Sequence, residues 1–270
     1  MRRACLIAIL ALFAAASGAA ADGGPSPGVY FGWDGVAGPG GQVRYAAIPV
    51  RDRTLVEVIR VHDGRVLRYG DIPGSYGVPL VANDGSAGGL SHDGKTLVLA
   101  TFVGPPTGHT TTRFAVLNAR NLRLRDIITL RGAFSYDALA PDASTLYLIQ
   151  YTSTSNYNRY RVRAYDVGAG KLVAGAIVDK REPKEPMTGS PVTRVTNADG
   201  SWVYTLYSRA GDKPFIHALN AAHRFAVCID LDAWRGSQNT IGQLRLSLSG
   251  RQLVLTRPDG TRMLAVAAPG

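Results

Sequence analysis

The chain has 270 residues, 46% of them hydrophobic and 19% charged, with 30 Lys and Arg against 20 Asp and Glu. That length and apolar fraction exclude a disordered chain and suffice for one domain with its own core. Two cysteines, Cys5 and Cys228, exclude a framework of several disulfides.

The first 21 residues read as an export signal. Arg2 and Arg3 precede an apolar stretch from Cys5 to Ala16, which ends in Gly18-Ala19-Ala20-Ala21 with the small residues a signal peptidase needs. Cys5 lies before the apolar core, so it is not placed as the lipidated cysteine of a lipoprotein. No later run approaches 18 apolar residues, and the mature chain is expected to lack a membrane span. Its destination is the extracellular or periplasmic and cell-wall space. Loss of Arg2 and Arg3 with the signal leaves 28 basic residues against 20 acidic ones, a net of +8. A basic exported protein attracts anionic lipids, wall polymers or acidic glycans, whereas export argues against nucleic acid. Cys228 is then the sole cysteine, and its place in the alternating run Phe225 to Leu231 predicts a buried, inert thiol.

Residues 22–27 form a polar Gly/Pro lead-in, and one domain is expected over 28–268. Val29-Tyr30-Phe31-Gly32-Trp33 reads as a strand. Next, the turn His62-Asp63-Gly64 joins strands at Val56 to Val61 and Val66 to Tyr69. Beyond it a phrase recurs four times, as Leu90-Ser91-His92-Asp93-Gly94-Lys95, Leu139 to Ser144, Val195 to Ser201 and Leu246 to Arg251. The anchors lie about 50 residues apart, the period of stacked β-units. Second strands follow at 96–100, 145–149, 202–206 and 252–256, and third strands at 114–117, 160–165, 215–219 and 263–266. Fourth strands read at 124–130, 172–178 and 225–231. The last unit has only three, so Val29 to Trp33 is expected to complete it and close the ring.

A small residue and Asp-Gly before a Leu-Val-Leu strand, as in Ser91 to Leu99, resembles the YVTN, TolB-like and WD-repeat-like propellers of exported bacterial proteins. The resemblance covers about residues 76–268, with the full phrase only at His92-Asp93-Gly94-Lys95. It implies an all-β propeller of about five four-stranded blades, within a range of four to six. Such propellers serve as scaffolds, receptors and enzymes alike, so function must come from a site.

The turn aspartates Asp93, Asp142 and Asp199 belong to different blades and are expected to brace turns. The histidines His62, His92, His109, His217 and His223 show no metal-ligand spacing, and His217 alternates with Phe215 and Leu219 as a core residue. No P-loop or Gly-x-Gly-x-x-Gly opens a helix and there is no Cys/His cluster, so no cofactor and no metal are expected. The long loops 71–86, 103–112, 151–159, 179–190 and 208–213 all emerge on one face of a propeller, which is therefore the expected binding face. It would present His109, Tyr157, Lys180, Arg181, Lys184, Arg209 and Lys213, beside a stripe of Arg159, Arg161 and Arg163 on one side of a strand facing water. The expected role is a non-enzymatic scaffold for a protein or an anionic envelope polymer. A second possibility is a lactonase-like hydrolase at the central channel mouth, using Asp137 with Arg194 or Arg245.

Overall fold

The computed structural model describes residues 34–102, 110–156, 159–183 and 187–270. They form five antiparallel sheets in chain order. Blade one holds β1 (Val36–Ala37), β2 (Val43–Val50), β3 (Arg53–Arg60) and β4 (Val66–Pro73). In blade two, β5 (Thr96–Ala100), β6 (Thr111–Asn118) and β7 (Leu124–Arg131) follow a first-strand position held by Leu90, which bridges Leu97. Blade three has β8 (Phe134–Leu139), β9 (Thr145–Tyr151), β10 (Tyr160–Asp166) and β11 (Lys171–Leu172). Blade four has β12 (Ser190–Thr196), β13 (Trp202–Ser208), β14 (Phe215–Asn220) and β15 (Phe225–Asp230), and blade five has β16 (Arg245–Ser249), β17 (Gln252–Thr256) and β18 (Arg262–Ala267).

Blades two, three and four are apolar on both sides because each packs between two others. In β5, Leu97 and Leu99 meet Val56, Val58 and Ile72 of blade one, while the alternate residue Val98 meets Phe134, Leu146 and Leu148 of blade three. The period of two therefore feeds two interfaces from one strand, which is why all five residues of β5 are buried. Tyr147, Ala164, Val203 and Leu219 join blades three and four, and Leu206, Ile216, Leu246 and Leu253 join blades four and five. The first strands of blades one to four line a shared cavity of about 270 Å³, bordered by Val36, Leu90, Asp137 and Arg194. Sheets stacked in sequence round a common axis are the blades of a β-propeller.

The turn aspartates brace their turns. Asp93 accepts from Ser91 Oγ at 2.6 Å and from Lys95 N at 3.0 Å, and Asp142 and Asp199 accept from Ser144 N and Ser201 N at 3.0 and 2.8 Å. A second repeated device carries no obvious sequence phrase. Thr54 Oγ1 donates to Gly74 O at 2.7 Å and accepts from Tyr76 N at 2.8 Å. Thr112 Oγ1 likewise donates to Gly132 O at 2.9 Å and accepts from Phe134 N at 3.0 Å. Both threonines are fully buried, and both glycines have positive φ, +95° and +119°, a conformation that favours glycine. The pairs anchor a third strand to the start of the next blade. Thr112→Val, isosteric but without the hydroxyl, strands the Phe134 N–H and is expected to cost about 1–3 kcal/mol in urea unfolding. An unchanged midpoint would show that the hydroxyl does not hold this junction.

Two strand expectations change. β2 was not anticipated, because Pro49 interrupts a run whose Tyr45 and Ala47 nonetheless alternate into the core. The fourth strand expected over 172–178 shrinks to Lys171–Leu172, since Gly175 takes φ +81° and the segment bends. Val173 N and Ile177 N still reach Ala164 O and Val162 O, both at 2.8 Å, with two residues more between them than a continuous ladder holds. Residues 1–21, with the expected export signal, and the closing strand Val29 to Trp33 lie outside the described residues. Among those residues β18 is the outer strand of a three-stranded blade five.

Candidate functional site

The second-to-third-strand loops and the blade connections share one face, and that face holds a cleft of about 730 Å³ between blades three and four. The bend at Gly175 creates it. β11 covers β10 only at Tyr165 and Asp166, so the edge near Arg161 borders a groove instead of a fourth strand. Arg159, Tyr160, Arg161 and Val162 supply one wall, residues 176–183 the other, and His217 and Cys228 line it from blade four. These last two are direct cross-strand partners. Their side chains therefore share a face.

The predicted basic residues divide sharply by what their side chains already hold. Arg181 grips Asp179, with Nε at 3.0 and 3.1 Å from its two carboxylate oxygens, and donates from NH2 to Cys228 O at 2.6 Å. Asp179 also accepts from Cys228 N at 2.8 Å, so this cluster ties the blade connection to β15. Arg163 donates to Gln150 Oε1 at 2.7 Å and Val173 O at 3.1 Å, inside the blade instead of into water. Lys213 pairs with Asp232 at 2.9 Å, and Arg209 lies 4.1 Å from the Phe215 ring centroid with Asp212 at 3.4 Å. Arg159, Arg161 and Lys180 are exposed, and among the described residues their side chains make no hydrogen bond or ion pair. His109, Tyr157 and Lys184 lie outside the described residues.

His217 is 4% exposed, as its alternation predicts, and sits edge-on to Tyr207 at 6.3 Å. No side-chain hydrogen bond to it occurs among the described residues, and burial holds its pKa below the usual histidine value, so the ring is neutral at neutral pH. Cys228 departs from the expectation of a buried thiol: it is half-buried and lines the cleft.

The Arg181 guanidinium, foremost, holds the Asp179 carboxyl down at about 2, and the Ser91 hydroxyl does the same for Asp93. A depressed folded pKa contributes stability above the unfolded carboxylate value of about 3.9, lost as pH falls through the folded value. Stability is therefore expected to decline from about pH 4 towards pH 2, and Asp179→Asn should flatten that decline in acid titrations followed by circular dichroism. An identical acid slope in the variant would contradict the clamp.

At the axis, Asp137 and Arg194 form a buried pair. A bulge between Tyr136 and Ala138 leaves Asp137 as the extra residue of β8, 4% exposed, and Arg194 of β12 reaches both its carbonyl oxygen and its carboxylate. Arg194 Nε donates to Thr205 Oγ1 at 2.9 Å. All three guanidinium nitrogens are thus engaged, two of them in joining blade four to blade three. Arg245 is brought to neither: it is exposed and donates to Leu244 O at 3.2 Å. The connection between blades one and two also crosses to blade four, with Asn83 N and Asp84 N donating to Pro191 O and Val192 O at 3.0 and 3.1 Å.

No protein-family model matches the chain, and no curated protein sequence matches it. Solved structures do resemble it. Hydrazine synthase of Kuenenia stuttgartiensis is 13% identical over 87% of this chain and 56% of that one, with a TM-score of 0.49. TolB from Acinetobacter baumannii is 12% identical over 90% and 55%, with a TM-score of 0.46, and a putative TolB from Agrobacterium tumefaciens is 14% identical over 90% and 83%, with 0.42. The chain spans little more than half the length of the first two. At these identities the likeness concerns fold alone.

Proposed function

We propose that this propeller is an exported, non-enzymatic binding scaffold whose loop-rich face engages an anionic envelope polymer. One observation supports the reading most: beside the cleft between blades three and four, Arg159, Arg161 and Lys180 keep their charge uncommitted among the described residues while neighbouring bases are consumed by the fold. Arginine forks on a rigid strand suit carboxylate or phosphate recognition. The reading takes residues 1–21 as a removable signal and 28–268 as the binding domain. A hydrolase at the channel mouth finds less support, because the Asp137 carboxylate is bound to Arg194 and Arg245 stands apart.

The test is chromatography of the mature chain, residues 22–270, on immobilised hyaluronate and on neutral dextran. Retention on hyaluronate that falls as salt rises is expected, since exposed charge contacts are screened over about 10 Å at 0.1 M. Equal elution from both matrices would count against an anionic partner.

A further inference from the structure

Resting on that reading, we infer that the cleft between blades three and four seats one carboxylate-bearing sugar unit of the polymer. Its volume of about 730 Å³ lies in the range of small-molecule sites, roughly 300–1,000 Å³. Three polar side chains without partners among the described residues line it: Arg159 and Arg161 on the β10 wall and His217 on the blade-four side. His217 is the most telling. Its imidazole is 4% exposed and no hydrogen bond to it occurs among the described residues, and it borders an open cleft in which a ligand hydroxyl can pair with it.

The walls differ in a way that orients an acidic sugar. The arginines of the β10 wall attract its carboxylate, and residues 176–183 face them across the cleft. Val162, Ile177 and Met187 offer apolar contact for the C–H side of a ring. A neutral sugar lacks the group the arginines need.

Cys228 gives the cleft a built-in reporter, as the sole cysteine of the mature chain. The experiment measures binding of a uronic-acid disaccharide, and of a neutral disaccharide of the same size, by calorimetry, alongside the rate of Cys228 alkylation with and without each. Saturating uronate is expected to slow alkylation at least about tenfold and the neutral sugar to leave it unchanged. Arg161→Ala should weaken uronate binding about tenfold, which is about 1.4 kcal/mol. His217→Phe should weaken it while leaving hyaluronate retention in place. Hyaluronate retention without uronate binding, or with Cys228 alkylated at the same rate throughout, overturns the cleft site and leaves the binding face standing. Loss of retention altogether overturns both. Should native Cys228 resist alkylation, calorimetry decides alone: uronate binding equal in wild type and Arg161→Ala refutes the inference.

Discussion

Replacing Arg194 with alanine is expected to lower stability by about 3–5 kcal/mol, because it leaves the Asp137 carboxylate buried without its partner. For a chain of this size that corresponds to a fall in Tm on the order of 10 °C. The side chains of the pair are 9% and 4% exposed, so both charges are largely withdrawn from solvent. Arg194→Met combined with Asp137→Leu removes both charges and should recover most of the loss, since a buried pair seldom outperforms a well-packed apolar one. Urea unfolding of the single and double variants decides this. A single variant as stable as wild type would mean that the pair does not fasten blade three to blade four.

Reversing the two uncommitted arginines, Arg159→Glu with Arg161→Glu, is expected to weaken binding to an acidic polymer by well over tenfold and to reduce its salt dependence. Stability should stay within about 0.5 kcal/mol, because neither side chain holds a partner that the change would strand. Arg181→Glu is a different experiment. It places a carboxylate against Asp179 and removes the donor to Cys228 O, so a loss of binding there would mix lost charge with a loosened cleft wall. Equilibrium binding and thermal melts on the same preparations separate the two outcomes. Full binding by the Arg159/Arg161 double reversal would remove this rim from the interface.

The period of about 50 residues and the Asp-bearing turns made the blades legible, because local turn chemistry and alternation decide where these strands start. Second strands agree closely, as with Thr96–Ala100 and Gln252–Thr256. The site was legible only as a loop-rich basic side. Whether a given arginine is available depends on residues far along the chain. Arg181 is consumed partly by the carbonyl of Cys228, and Arg194 by Asp137 in the preceding blade, pairings that no local pattern encodes. Arg163 shares the alternation of Arg159 and Arg161 and still differs from them, because its guanidinium reaches Gln150, diagonally placed on the neighbouring strand, and the carbonyl of Val173. The cleft itself follows from one residue, Gly175, whose bend could have been suspected from a glycine inside an otherwise apolar strand pattern.

The most direct measurement compares two charge reversals of equal size on opposite faces. Arg159→Glu with Arg161→Glu alters the cleft rim, and Arg120→Glu with Arg123→Glu alters the exposed turn between β6 and β7 on the short-turn face. Hyaluronate affinity of both variants, measured at two salt concentrations, should collapse for the first and persist for the second. Equal losses in the two would show that net charge alone governs association, and would contradict a binding face built at the cleft.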